Sequence, residues 1–133
     1  MRPAALLLCG ALALAACGGG GSPKRSDADR VRDTLAAFAQ ASAKHDYRRV
    51  CADLLARPVI DSVRRAGLSC ESAMRTALHG VQSPTLEVRQ VTIKGNRASA
   101  KVHTTAANQQ ASDDTVALVR EGGDWKIGAL GGG

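Results

Sequence analysis

Aromatic side chains are nearly absent from this chain: its 133 residues include one phenylalanine, one tyrosine and one tryptophan, at Phe38, Tyr47 and Trp125. Proteins that bind single-stranded nucleic acids use several aromatic side chains as platforms on which the bases stack. Three scattered aromatics cannot form such a platform. Although the formal net charge is +6 at pH 7, we therefore expect no nucleic-acid partner.

Long apolar segments are also lacking. The apolar run over residues 4–14 is followed by Ala15 and Ala16 and stops before the four glycines of residues 18–21. A helix that spans a bilayer needs about 20 apolar residues, so this run is too short for a transmembrane anchor. Arg2 before the run and the two small alanines after it are instead typical of an export signal.

Cys17 directly follows this signal, in the tetrapeptide Leu14-Ala15-Ala16-Cys17. The tetrapeptide resembles the lipobox of bacterial lipoproteins, in which a peptidase cuts before the cysteine and the cysteine sulfur carries a diacylglycerol. The resemblance implies that residues 1–16 are a signal peptide and that Cys17 is the lipid attachment site. The mature protein would then be anchored at the extracytoplasmic face of the cell membrane. An ordinary secretory signal, cut after Ala16 and leaving a free cysteine, is the alternative.

Residues 17–26 predict a flexible tether, because the glycines hold no defined backbone and the residues after them are polar. Nine flexible residues have a root-mean-square reach of about 15–18 Å, which keeps the domain near the membrane. Residues 27–130 are long enough for one domain with a single modest core. Residues 131–133 are left as a short C-terminal tail.

The first half of the domain has the apolar spacing of helices. Ser26 is the predicted N-cap of a helix with aspartates in its first turn. One face of this helix has Val31, Leu35, Phe38 and Ser42 at helical spacing, and Asp46 is the predicted N-cap of a second helix. Pro58 and Ser69 begin two shorter helices, each followed by a glycine that ends it.

The second half has the alternating pattern of strands. The apolar alternation changes phase after Val88, which predicts a bulge at Arg89-Gln90. Gly95-Asn96 and Gly122-Gly123 predict tight hairpin turns, and the polar residues 107–113 predict a loop. Helices followed by an antiparallel sheet of about four strands predict an α+β domain with the helices packed on one face of the sheet.

The closing hairpin, residues 119–127, resembles the last hairpin of the NTF2-like superfamily in its sequence Val-Arg-Glu-Gly-Gly-Asp-Trp-Lys-Ile. Residues 41–50 are also similar to that family, because an Asp46-Tyr47 pair follows a short break between the first two helices. The resemblance covers roughly residues 27–130 and implies a cone-shaped α+β fold whose curved sheet wraps a cavity. With the lipobox, the chain also resembles small actinobacterial lipoproteins of unknown activity.

Cys51 and Cys70 are the two cysteines left for the folded domain. In an exported protein such a pair usually forms a disulfide, and this one would join the second predicted helix to the fourth. Closing the loop between them would stabilise the fold by about 3 kcal/mol in the chain-entropy model. The alternative, a metal site that also uses His45 or His79, lacks the ligand spacing of zinc motifs. We therefore expect no metal and no cofactor.

Candidate catalytic residues are few. The family's isomerases need a cavity carboxylate together with a tyrosine and a protonated acid, and no residues here line up with that set. Asp113 and Asp114 are adjacent, so on a strand they would point to opposite sides; a solvated turn is the simpler interpretation. His103 alternates with Val102 and would lie either on the solvent face or inside the cone. It is the one histidine we consider as a polar group of the cavity.

Three functions remain open after these considerations, because the NTF2-like fold hosts isomerases, dehydratases, cyclases and binding proteins. The first is a lipid-anchored, non-enzymatic domain that binds a small apolar ligand or a protein partner near the membrane. The second is an isomerase or hydrolase of the NTF2-like type. The third is a structural envelope component. The basic pairs Arg48-Arg49 and Arg64-Arg65 fit the solvated face of packed helices or a surface that docks on membrane or wall polymer.

Overall fold

The computed structural model of the chain describes residues 23–130. The predicted signal peptide, Cys17, most of the tether and residues 131–133 lie outside the described residues. The helical elements come first, and in chain order they are α1 (Asp27–Ala43), α2 (Tyr47–Arg49), a π-helical turn (Val50–Leu54), α3 (Arg57–Arg65) and α4 (Cys70–Ala77). Four strands follow, namely β1 (Thr85–Lys94), β2 (Arg97–Ala106), β3 (Gln109–Glu121) and β4 (Asp124–Leu130). The α+β class is confirmed.

Helix α1 begins where the sequence predicts. The Ser26 hydroxyl accepts a hydrogen bond from the backbone N–H of Asp29 at 3.1 Å, which satisfies one of the free amides of the first turn. The buried side chains of α1 recur at helical spacing, and they are Val31, Leu35, Phe38, Ala41 and Ser42. This stripe is the face that packs against the sheet.

The second predicted helix is interrupted. Asp46 caps it as expected, its carboxylate accepting from the N–H of Arg49 at 3.1 Å, but after Arg49 the chain widens into the π-helical turn. Leu55 then leaves the helix and pairs with Ile127 of β4 in a parallel bridge. The wider turn therefore brings both Leu54 and Leu55 into the core, where they are buried.

The sheet is antiparallel with the strand order β1-β2-β3-β4. Its register shifts between Val88 and Gln90, which confirms the predicted bulge. Because the bulge adds one residue, Val88 and Val91 both lie on the face that packs against the core. We call this the inner face and its opposite the outer face.

The sheet curves around the first helix. Helix α1 contacts both edge strands, β1 and β4, which a flat sheet would not allow. The side chains buried between them form one core, composed of Val31, Leu35, Phe38, Ala41, Val50, Leu54, Leu55, Ala98, Ala100, Val102, Val116, Leu118, Trp125 and Ile127. The helices cover most of the inner face and leave the start of β3 uncovered.

The predicted loop over residues 107–113 is wrong. Only Ala107 and Asn108 turn between β2 and β3, and β3 already begins at Gln109. Residues 109–113 are exposed, yet their backbone pairs with β2, for example Ser112 with Thr104. Their polar composition therefore reflects a strand end that extends beyond the helices, where both faces are accessible to water.

The predicted disulfide is present. Cys51 in the π-helical turn is bonded to Cys70, the first residue of α4, with their Cα atoms 6.0 Å apart. The bridge ties the two helical segments to each other across α3, so neither sulfur is available as a metal ligand. Among residues 23–130, none of the helices has the length and apolar character that crossing a bilayer requires.

Candidate ligand cavity at the open end of the sheet

A cavity of ≈ 370 Å³ lies between α1, the chain after α4 and the uncovered ends of β1, β2 and β3. We call it the open-end cavity. Its apolar wall consists of Phe38, Ala39, Ala77, Leu78, Val81, Pro84, Leu86 and Ala106. Its polar wall consists of Ser42, Thr85, Thr104, Thr105, Gln109, Gln110, Ser112 and Asp114. Apolar surface combined with polar groups that can fix the orientation of a ligand is typical of small-molecule sites.

The polar wall results from the alternation of β2 and β3. Val116 of β3 is buried in the core, and Asp114 and Ser112 follow at the same period of two, so all three lie on the inner face. Asp114 is paired with Val102 of β2, and Ser112 is paired with Thr104. The inner face therefore changes from apolar to polar where the helices end.

Among residues 23–130, Asp114 is the one ionisable side chain that lines this cavity. It is half-buried, and one of its carboxylate oxygens accepts a hydrogen bond from the Ser112 hydroxyl at 2.7 Å. No Lys, Arg or His side chain of residues 23–130 forms an ion pair with it. A carboxylate has about four acceptor positions, so Asp114 keeps acceptor capacity toward the cavity.

Ser42 faces the same cavity from the opposite wall. Only 4% of this residue is exposed, and its hydroxyl has no hydrogen-bond partner among the described residues. Nearly all buried polar side-chain atoms in folded proteins have a partner. A hydroxyl provides one donor and two acceptor positions, so Ser42 has unused hydrogen-bonding capacity behind the helical wall, although its oxygen is itself buried.

His103 lies outside the cavity. Val102 and Thr104 occupy the inner-face positions of β2, so His103 is on the outer face, the first of its two predicted alternatives. Its Nδ1 atom is 2.7 Å from a carboxylate oxygen of Asp113 on the neighbouring strand. The predicted cavity histidine is therefore an outer-face residue whose partner is Asp113.

Sequence reasoning missed Asp114 as a cavity residue. We correctly expected Asp113 and Asp114 to point apart if they lay on a strand, but we placed both in a turn. The signal that identifies Asp114 is the alternation of Val116 and Leu118, which are both buried. The same alternation, extended two residues before Val116, places Asp114 on the inner face as well. Of the metal-ligating side chains within residues 23–130, no three come together in a group.

A second polar cluster closes the opposite end of the sheet. Asp27, in the first turn of α1, accepts hydrogen bonds from the indole N–H of Trp125 and from the Arg120 guanidinium. Arg120 also lies over the Trp125 ring, 4.8 Å from its centre. The Trp125 hydrogen bond, followed by the Arg120 hydrogen bond, holds the pKa of Asp27 below its ordinary value of 3.8. This cluster joins α1 to the β3–β4 hairpin.

Solved structures with the NTF2-like fold are similar to this one. One is an NTF2-like protein of unknown function from Silicibacter pomeroyi, with 13% identity, 77% of this chain and 91% of that chain covered, and a TM-score of 0.55. Another is an NTF2-like protein of unknown function from Shewanella baltica. It has 11% identity, the match covers 80% of this chain and 94% of that chain, and the TM-score is 0.50. A de novo designed NTF2 fold protein has 12% identity, the match covers 80% of this chain and 87% of that chain, and the TM-score is 0.52.

Sequence comparison adds no closer relative, since no family model matches the chain and no curated protein matches it. At these low identities the structural likeness concerns the fold alone. The order of elements, the curved sheet and the position of α1 all agree with it. The chain has the NTF2-like fold.

Proposed function

We propose that this protein is a lipid-anchored extracytoplasmic binding protein that holds a small, largely apolar ligand in the open-end cavity. The observation that carries the proposal is the lining of the cavity, in which apolar side chains of the helical segments face hydroxyl and amide groups and the Asp114 carboxylate on the strands. Such a lining can bury an apolar body and orient it through a few hydrogen bonds. The cavity volume of ≈ 370 Å³ is at the lower end of the range for small-molecule sites.

Binding is favoured over catalysis by the composition of the polar wall. Acid–base chemistry of the isomerase type needs a base and a separate proton donor that both reach the substrate. Apart from the one ionisable group, Asp114, the polar side chains of the described lining are hydroxyls and amides. These groups orient a ligand through hydrogen bonds, and we therefore propose a non-catalytic role.

Binding of a small ligand is also favoured over docking of an envelope protein. Docking surfaces for proteins are commonly contiguous apolar patches. Among residues 23–130, Leu68 is the large apolar side chain that stands out as exposed, at 52%. The open-end cavity instead provides a concave surface with apolar side chains in its lining.

The cavity can be tested with a neutral probe, 2-phenylethanol, added to the full chain in phosphatidylcholine nanodiscs. We expect ligand-observed NMR to show binding to the wild-type protein after subtraction of the signal from empty nanodiscs. Ala39→Phe should abolish binding because Ala39 lines the cavity. Ala36→Phe is the matched control, since Ala36 is exposed on the same helix. Equal binding by both variants would contradict the proposal.

The anchor has its own test. Cys17→Ala should release the protein into the medium of the producing cells, because no thioether-linked lipid can form at that position. The wild-type protein should remain in the membrane fraction and partition into the detergent phase. Retention of Cys17→Ala in the membrane would contradict the lipoprotein assignment without affecting the cavity.

A further inference from the structure

We propose that the open-end cavity selects a ligand with an apolar body and one protonated amino group, and that Asp114 receives the ammonium. This inference rests on the proposed function, since it names the class of ligand that the same cavity takes. It predicts discrimination between ligands of the same shape that differ only in the charge of one group.

The first argument is the charge of the cavity. The whole chain has a formal net charge of +6, yet the described lining includes no Lys, Arg or His and one carboxylate. The positive charges of the surface are screened over a Debye length of about 8 Å at physiological ionic strength. Inside the cavity, Asp114 is therefore the charge that a ligand meets at short range.

The second argument is that Asp114 is held in place before a ligand arrives. Its backbone is fixed by pairing with Val102 of β2, and its carboxylate accepts from the Ser112 hydroxyl at 2.7 Å. The Thr104 hydroxyl in turn donates to the backbone carbonyl of Ser112. A group that is already oriented loses little conformational entropy on binding.

The third argument is the use of the remaining acceptor positions. An ammonium group has three donors and no acceptor, and it matches a carboxylate that accepts one hydrogen bond and forms no ion pair among the described residues. An anionic ligand would instead face like charge in a half-buried site. Charge-assisted hydrogen bonds are roughly twice as strong as neutral ones, so the amine should be preferred over a neutral group as well.

The fourth argument is the opposite wall. Phe38 and Ser42 are one helical turn apart on α1 and line the cavity together. Phe38 provides apolar surface for the body of the ligand, and the Ser42 hydroxyl is buried behind this wall. The ligand class is therefore a short amphiphilic amine with its charged end on β3.

The experiment compares three probes with the same phenyl body: 2-phenylethylamine, 2-phenylethanol and 3-phenylpropionate. Dissociation constants are measured by NMR at pH 7 for the full chain in phosphatidylcholine nanodiscs, with empty nanodiscs subtracted. We expect the amine to bind about tenfold more tightly than the alcohol and the carboxylate to bind most weakly. Asp114→Asn should remove the advantage of the amine and leave the affinity for the alcohol nearly unchanged.

Asp113→Asn is the matched control, because it removes the same charge from the adjacent residue but on the outer face. It should leave the amine preference intact. Equal binding of amine and alcohol to the wild-type chain would overturn the inference while leaving the proposed function standing. An unchanged preference in Asp114→Asn would do the same. If no probe binds, both proposals fail.

Discussion

The indole N–H of Trp125 donates a hydrogen bond to a carboxylate oxygen of Asp27 at 3.2 Å. It joins the last strand of the sheet to the first turn of α1, two segments at opposite ends of the domain sequence. Trp125 is buried, with 3% of its surface exposed. The contact therefore contributes both a polar bond and apolar burial to the closure of the cone.

Trp125→Phe should lower the free energy of unfolding by about 1–3 kcal/mol, because it removes the N–H donor and part of the buried ring. Urea unfolding followed by circular dichroism measures the effect. Tyr47→Phe is the control, since Tyr47 is in α2 and is not among the described residues that donate a hydrogen bond to Asp27. Equal losses in the two variants would mean that the Asp27 contact adds nothing.

Stability should fall in acid partly through Asp27. The Trp125 and Arg120 hydrogen bonds lower the pKa of Asp27 in the folded state. The stabilisation that ionised Asp27 contributes is therefore fully present above the pKa that this residue has in the unfolded chain. It is lost as the pH falls through the lower folded pKa, because the unfolded chain then binds the proton more readily. Between pH 7 and about pH 3, Asp27→Asn should lose less unfolding free energy than the wild-type protein.

Asp61→Asn provides the comparison for that pH series. Asp61 is an exposed carboxylate on α3 whose charged partner, Arg64, is 3.9 Å away, and surface pairs of this kind contribute little. This variant should follow the wild-type pH dependence. A pH dependence of Asp27→Asn that also matches the wild type would refute the role assigned to the Asp27 cluster.

Reduction of the Cys51–Cys70 disulfide should lower the free energy of unfolding by about 3 kcal/mol, because the reduced unfolded chain gains loop entropy. Urea unfolding with and without dithiothreitol measures the loss. The double variant Cys51→Ser, Cys70→Ser should be destabilised by a similar amount and should not respond to dithiothreitol. An identical midpoint before and after reduction of the wild-type protein would show that the bridge does not stabilise the fold.

Leu118→Ala should be among the most damaging single substitutions, with a loss of about 2–5 kcal/mol from the cavity it leaves in the core. Leu118 is 1% exposed on the inner face of β3. The same substitution at Leu68, which is 52% exposed, should change the free energy of unfolding by less than about 0.5 kcal/mol. Comparable losses at the two positions would contradict the assigned inner face.

The sequence predicts the features that depend on residues close together along the chain. The cap at Ser26, the spacing of Val31 and Leu35, and the phase change after Val88 each involve neighbours within one or two turns or pleats. The π-helical turn could not be predicted in this way, because it follows from the pairing of Leu55 with Ile127 far along the chain. Long-range contacts override local propensity at such places.

The cavity was harder to predict than the fold. Asp114 lies in a polar stretch that indicates a loop, and only the strand pairing with Val102 identifies its face. Ser42 was recognised as part of the inner stripe of α1, but the absence of a partner for its hydroxyl is visible only in three dimensions. Conversely, His103 has a side chain suited to a functional site, but its position between Val102 and Thr104 places it on the outer face of the sheet.

The disulfide has a consequence for recognition that is separate from stability. Cys70 begins α4, and Ala77 and Leu78 at the other end of that short helix line the cavity. Because the bridge fixes one end of α4 to the π-helical turn, this wall samples fewer arrangements in the empty protein. A ligand of the proposed kind would then have less disorder to remove on binding, so the disulfide would order this wall of the cavity in advance.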